Sequence, residues 1–166
     1  MDVIDAAGRD HLIDDAAQIW AEATAARDGD DEVPGLDVSR PVIPSVLDHS
    51  SRALLLIARS ADGTAAGFAA IEPLGGRNEA VAEVSYVGVR PRLWGHGVGE
   101  RLLLEIGQRL KTAGYASVEL SVYVDNRRAT ALYERLGWLP TGGPAAHPRT
   151  GKPEQRYELR LQANDS

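Results

Sequence analysis

Apolar residues recur with two different periods along this chain. In "HLIDDAAQIWAEATAAR" (11–27) they fall at Leu12, Ala16, Ile19, Trp20 and Ala23. That spacing predicts one stripe of an amphipathic helix. The stretch "DGDDEVPGLD" (28–37) is a polar, turn-forming break. Residues 44–51, "PSVLDHSS", predict a short second helix with Pro44 at its start. The period then shortens. "RALLLIARS" is an apolar run, "ADG" a turn, and "TAAGFAAIEPL" a second strand. "GGRNE" (75–79) is another turn, and the valine-rich "AVAEVSYVGV" (80–89) a third strand. Next comes a glycine-rich loop, then a helix carrying Val98, Leu102, Leu103, Ile106 and Leu110, closed near Thr112 by Gly114. "ASVELSVYV" (116–124) predicts a strand and "DNRRATALYERLG" (125–137) a capped helix. "WLPTGG", a loop with His147, and "EQRYELRL" complete the chain as a final pair of strands.

The order α, α, β, β, β, α, β, α, β, β places one β-α-β unit among hairpin-type neighbours. It predicts an α/β fold of the α+β type: a mixed, mostly antiparallel central sheet of about six to seven strands flanked by helices. With 166 residues and no repeat or linker, a single domain over 1–166 is expected. Composition narrows the class. The chain is 43% hydrophobic and 25% charged, as in globular proteins, and has no cysteine, which excludes disulfides, thiolate zinc sites and cysteine nucleophiles. The start "MDVIDAAGRDHLIDD" lacks an apolar h-region, and no run reaches the length of a membrane span. The expectation is a cytoplasmic monomer or homodimer without a membrane partner. A net charge of −6 argues against a nucleic-acid partner, and suits either a cationic substrate or plain solubility.

Candidate chemistry starts at "RPRLWGHGVGERLL" (90–103), where Gly95, Gly97 and Gly99 open a helix. A P-loop would need Lys-Ser/Thr after its last glycine, but Glu100-Arg101 stands there. A dinucleotide fingerprint needs G-x-G-x-x-G and an acid at a strand end. Here the glycines run G-x-G-x-G, and Glu119 lies early in its strand. Two readings stay open: an anion cradle at a helix N-terminus, or a tight strand-to-helix turn. Arg90, Arg92, His96 and Arg101 favour an anion, with Arg127 and Arg128 as further positive charge.

In "DNRRATALYERLGW" (125–138), Asn126, Ala129 and Tyr133 share one helix face, with Leu132 and Leu136 mostly to the core side. Asn126 suits a helix cap and Tyr133 an amphipathic core tyrosine; both also suit a face that receives a thin polar chain. Together "VGVRPRLWGHGVGERLL" and "SVELSVYVDNRRATALYERLGW" closely resemble the two conserved blocks of the GCN5-related N-acetyltransferase (GNAT) family. The resemblance is tight over 80–138 and covers 1–80 only in layout.

It implies an acetyl-CoA-dependent N-acetyltransferase. Gly95, His96, Gly97, Val98 and Gly99 would offer amides to the coenzyme pyrophosphate, with Arg92 and Trp94 beside them. Val87, Gly88 and Val89 would present backbone to the pantetheine and acetyl carbonyl, Asn126 and Ala129 would line the coenzyme, and Tyr133 would lie near its sulfur. One departure stands out: Trp94 occupies the family's usual Gln/Arg position, leaving pyrophosphate binding mostly to backbone, with the indole packed on the coenzyme or the helix base.

Acetyl transfer to an amine requires a base, an oxyanion donor and a proton for the leaving thiolate. Glu83 shares strand parity with Val87 and Val89 and is the candidate base; the alternative is a structural pairing with an arginine. Tyr133 is the candidate acid, in direct transfer within a ternary complex. His11, His49, His96 and His147 lack ligand spacing, so no metal is implied. The acceptor is an amine of a small molecule or peptide. Asp28, Asp30, Asp31, Glu32 and Asp37 would suit a cationic one, or form a solvated loop. His147 could wall the acceptor site or sit in solvent. A catalytically idle acyl-CoA-binding or sensing module is the alternative function.

Overall fold

Two strands are buried on both faces. β2 (Leu54–Arg59) and β3 (Ala65–Pro73) pair antiparallel, and their burial explains why both read as continuous apolar runs instead of alternating ones. They belong to a computed structural model that describes residues 1–6, 9–74 and 80–161. The turn expected at 75–79 lies outside the described residues. The other elements are β1 (Asp2–Asp5), α1 (Asp10–Asp28), α2 (Leu36–Ser39), α3 (Val42–Leu47), β4 (Val81–Val89), a 3-10 turn (Pro91–Leu93), α4 (Val98–Thr112), β5 (Ser117–Tyr123), α5 (Arg127–Arg135), β6 (Leu139–Ala146) and β7 (Pro153–Arg160). Hydrogen-bonded neighbours run β1-β2-β3-β4-β5-β7-β6, a seven-stranded mixed sheet. The β1–β2, β2–β3, β5–β7 and β6–β7 pairs are antiparallel and β4–β5 is parallel, so the sheet is mixed and mostly antiparallel as expected.

The chain forms two compact units. The first, Met1–Pro73 with Val84–Ile106, has a core of Leu12, Ala16, Ile19, Ile43, Val46, Leu55, Ile57, Phe68 and Ala70. Helix α1 is lined with alanine, which lets backbone come close: a Cβ on Gly88 would stand 3.4 Å from Ala23 Cβ and 3.0 Å from the Phe68 ring. Trp20 meets Tyr86 edge-on at 6.2 Å. The helix ends at Gly29, whose φ of 74° an L side chain adopts only under strain. In the second unit, Leu74–Glu83 with Gly107–Ser166, Val118, Leu120, Trp138 and Tyr157 are buried.

Four elements differ from the sequence reading. β1 was not anticipated: "DVID" offers two apolar residues among acids and becomes a strand only by pairing Val3 with Ala58 and Ile4 with Ile57. Short, charged strands of this kind are typical of sheet edges. The expected polar break 28–37 already contains the start of α2, where Ser39 is buried and its hydroxyl donates to Gly35 O at 3.3 Å. The helix expected at 44–51 is α3, which starts and ends earlier; Pro44 lies within its first turn, where no intrahelical N–H bond is lost. The last hairpin is longer than expected: β6 reaches Ala146, and its register against β7 shifts between Thr141 and Ala145. Gln155 Nε2 fills that irregularity by donating to Thr141 O and Gly142 O, both at 3.1 Å. Among the described residues, no helix is long and apolar enough to cross a membrane.

Gly67 in β3 marks the tightest approach. A Cβ there would lie 2.9 Å from Leu102 Cδ1 and 3.0 Å from both Gly88 O and Val98 Cγ1. Since backbone is among the obstacles, we expect Gly67→Ala to destabilise the protein by about 1–3 kcal/mol. A lowered urea midpoint at unchanged slope would show it.

Candidate functional site

In the first unit, β4 ends at Val89 and the chain turns sharply into α4. Gly95 and Gly97 have φ of 81° and 83°, and neither would clash with a Cβ, so backbone conformation alone selects glycine there. The tight-turn reading therefore accounts for both glycines; Gly99, by contrast, is helical. The Gly97 carbonyl accepts from Arg101 N at 3.1 Å and starts the helical ladder. Among the described residues, the amides of Gly97, Val98 and Gly99 have no protein acceptor. These are the orphan donors of a helix N-terminus, carrying its partial positive charge.

The side chains around this turn divide. Arg92, His96 and Arg101 are exposed. Arg90, counted from the sequence among the cations favouring an anion, is committed elsewhere: it donates to Glu22 Oε2 of α1 at 2.6 Å and to Ala65 O at 2.7 Å. Trp94 is half-exposed, and its Nε1 donates to Val89 O at 2.9 Å. The indole therefore anchors the turn to the end of β4, a contact the sequence reading did not foresee. Val87, Gly88 and Val89 close β4, Val87 and Val89 sharing the parity of Glu83.

In the second unit, α5 is fixed at both ends. Asn126 is its N-cap, accepting from Ala129 N at 3.2 Å. At the other end Trp138 N donates to Tyr133 O at 2.9 Å and Gly137 N to Glu134 O at 3.2 Å, with Gly137 at φ 92°. This is a Schellman closure, and its usual apolar contact is present: the Tyr133 and Trp138 rings are 5.8 Å apart. Tyr157 adds a third ring 5.9 Å from Tyr133 and donates to Glu134 Oε1 at 3.3 Å. Tyr133 is the buried residue of α5, while Leu132 and Leu136, expected toward the core, are half-buried. Burial pushes the Tyr133 hydroxyl up to about 12. Tyr157 is also raised, by burial first and then by the charge of Glu134.

Glu83 is held by an arginine, the alternative left open from the sequence. Arg156 of β7 donates through Nη2 to Glu83 Oε2, through Nε to Glu119 Oε1 at 3.0 Å, and through Nη1 to Ser121 Oγ at 3.1 Å. Sequence reasoning missed Arg156. Alternation in "EQRYELRL" places it on a face with Glu158 and Arg160, but only the register Ser121↔Arg156 brings it beside β5. The parallel β4–β5 ladder is registered for Val81, Ala82 and Glu83, with Glu83 directly opposite Glu119.

His147 is a turn residue: its Nδ1 accepts from Arg149 N at 3.1 Å and Thr150 N at 3.2 Å, and its ring meets Tyr123 edge-on at 5.4 Å. Asp30, Asp31, Glu32 and Asp37 are exposed, and Asp28 pairs with Arg27 at 3.1 Å. The described residues hold no group of three or more His, Cys, Asp or Glu placed for a metal ion.

Two outcomes follow from α5. Asn126→Ala removes the cap and is expected to cost about 1 kcal/mol, read as a lower denaturant midpoint. Alkaline titration followed by tyrosinate absorbance is expected to show a late component near pH 12 that Tyr133→Phe removes. A folded-state value above the unfolded 10.0 means the native state retains the proton longer. Its contribution to stability is therefore complete below pH 10 and declines as pH rises toward 12.

Comparison with known proteins places this geometry. The profile of the Acetyltransferase (GNAT) family matches residues 14–138. Mycothiol acetyltransferase of Paenarthrobacter aurescens is 37% identical over 86 residues, 51% of this chain and 27% of that protein. The N-alpha-acetyltransferase RimI of Mycobacterium tuberculosis is 41% identical over 80 residues, 48% of this chain and 49% of its own. The chain thus spans about a quarter to a half of the length of these relatives. A Salmonella typhimurium protein solved with its cofactor acetyl-CoA shares the fold at TM-score 0.74 and 17% identity, over 99% of this chain and 96% of that one. Since the family profile runs through the glycine turn and the Leu136-Gly137-Trp138 helix end, this chain belongs to the GNAT acetyltransferase family.

Proposed function

We propose that the chain is an N-acetyltransferase that moves an acetyl group from acetyl-CoA directly to an amine, and that 1–166 works as one catalytic domain. The observation that carries this reading is the α4 N-terminus, whose unpartnered Gly97, Val98 and Gly99 amides fit a pyrophosphate, within the span of the family match. Exposed Arg92 and Arg101 add positive charge, and His96 and Trp94 flank the same turn. In the first unit Val87, Gly88 and Val89 are the candidate backbone for the pantetheine arm, and in the second Asn126 and Ala129 are the candidate coenzyme-binding residues.

Acetyl-CoA supplies the thioester. Glu83 takes one proton from the acceptor ammonium and so frees the nitrogen lone pair. As the N–C bond forms, a backbone amide near Val87 receives the charge developing on the carbonyl oxygen. The C–S bond breaks with its electron pair on sulfur, and Tyr133 donates its proton there. The nitrogen's second proton passes to solvent, which also restores Tyr133. One ammonium and one thioester thereby become one amide, one thiol and one proton. A buried hydroxyl raised to about 12 keeps its proton at neutral pH, as an acid must.

Candidate acceptors follow the relatives: an amine of a small molecule, by analogy with mycothiol acetyltransferase, or a protein N-terminus, by analogy with the N-alpha-acetyltransferase. A panel of small amines and N-terminal peptides, read by CoA release with acetyl-CoA binding measured in parallel, tests the proposal. We expect turnover with at least one amine. Tyr133→Phe should lower kcat by about 100-fold with little change in acetyl-CoA affinity. Tight binding without turnover on any amine would instead indicate a sensing module, and failure to bind acetyl-CoA would overturn the reading.

A further inference from the structure

Arg156 serves two carboxylates at once. Its three nitrogens each have an acceptor, in Glu83, Glu119 and Ser121, and each glutamate is held by a single oxygen. Among the described residues, Glu83 Oε1 and Glu119 Oε2 have no hydrogen-bond partner. The Glu83 and Arg156 side chains are each 29% accessible and that of Glu119 is 21%, so solvent or a ligand reaches the cluster.

The two carboxylates face each other across the last registered pair of the parallel ladder, and paired strands lie about 4.8 Å apart. Removing the guanidinium they share would leave two like charges on neighbouring strands, which disfavours their joint ionisation. On the same strand as Glu83, Ser85 Oγ donates at 2.9 Å to Glu72 Oε2, and the other oxygen of Glu72 is 2.9 Å from His49 Nδ1. Glu158, opposite Glu119 on β7, pairs with Arg160 at 3.5 Å. Burial opposes the charge on Arg156, but hydrogen bonds and attraction from Glu83, then Glu119, hold its guanidinium above the usual arginine value.

Resting on the reading of Glu83 as the base, we propose that Arg156 is a positioning residue for the transfer step: it fixes one oxygen of Glu83, shares its positive charge between Glu83 and Glu119, and leaves the other oxygen of Glu83 to take the proton of the acceptor ammonium. The proton passes from nitrogen to Oε1 and the N–H electron pair stays on the amine. Glu83 becomes a neutral carboxyl still hydrogen-bonded through Oε2. The cluster changes from one net negative charge to none as the amine loses its positive charge.

The test compares the full-length parent with Arg156→Gln, Arg156→Lys, Glu83→Gln and the double variant Arg156→Gln/Glu119→Gln. Two readouts are needed: carbon-13 NMR titration of the glutamate carboxyls, and the pH profile of kcat/KM with the best amine of the panel. In Arg156→Gln one of the two carboxyls is expected to begin titrating at least about one pH unit, tenfold in proton concentration, above its position in the parent. The acid limb of kcat/KM should move with it. Arg156→Lys keeps a charge but not the fork, so its shift should be smaller and in the same direction. The double variant, with no second carboxylate to repel, should return the limb most of the way.

If Arg156→Gln does not fold, Arg156→Lys decides by the same two readouts. Unmoved carboxyl titrations, or a rate loss equal at every pH, would overturn the proposal. Glu83→Gln separates the two readings. An acid limb that survives this variant removes Glu83 as the base, and the role of Arg156 with it. A limb lost in Glu83→Gln yet unmoved in Arg156→Gln refutes the role of Arg156 alone.

Discussion

The parallel pairing of β4 with β5 is the constraint on which the rest of the structure depends. A hairpin joins antiparallel strands in a few residues, whereas parallel strands need a crossover of a dozen or more. The crossover here leaves β4 at Val89, passes through the 3-10 turn and two left-handed glycines, and returns along α4 to begin β5 at Ser117. Placing a helix N-terminus after the C-terminal end of β4 is a direct result. Its unpartnered amides need no special device, since the first turn of any helix leaves its N–H groups without carbonyl partners.

Two arginines do comparable work in the two units. Arg90 ties the exit of β4 to Glu22 of α1 and to the backbone of β3, with side-chain exposures of 16% and 28% in the ion pair. Arg156 ties β7 to Glu119 of β5 and to Glu83 at the start of β4. Exposed pairs such as Arg40–Asp14, at 55% and 40% exposure, contribute little because solvent screens them. The partly buried pairs matter more, because solvent and salt screen their charges less. In a chain of net charge −6 this commitment is selective: Arg90 and Arg156 hold strands in place, while Arg92 and Arg101 stay exposed beside the α4 turn.

The aromatic group around Tyr133 shows how a local motif becomes a tertiary one. The Schellman closure at Gly137 fixes the Tyr133 carbonyl and lays Trp138 against its ring within six residues of chain. Tyr157 arrives from β7, and together the three rings exclude water from the Tyr133 phenol, raising it to about 12. Backbone geometry positions the residue, and packing sets its acidity.

Features set by neighbours in sequence were legible without a structure. These include the Asn126 cap, the glycines needed where φ is positive, the helix end before Trp138, the apolar runs of β2 and β3, and the two blocks that carry the family resemblance. Each depends on steric or hydrogen-bonding preferences that act over a few residues. The remainder was decided by partners far away in the chain. β1 is a strand because β2 offers it an edge, and the half-exposed Trp94 indole bonds the Val89 carbonyl. Arg90 lies 68 residues from Glu22, and Arg156 lies 73 from Glu83. Strand alternation reveals which face a charged side chain occupies, but not which strand lies beside it. The sequence alone determined most of the elements, the family resemblance and the candidate residues. Only the tertiary register decided that the carboxylate read as a base is held by an arginine, since pairing across strands is a property of the closed sheet and not of any one segment.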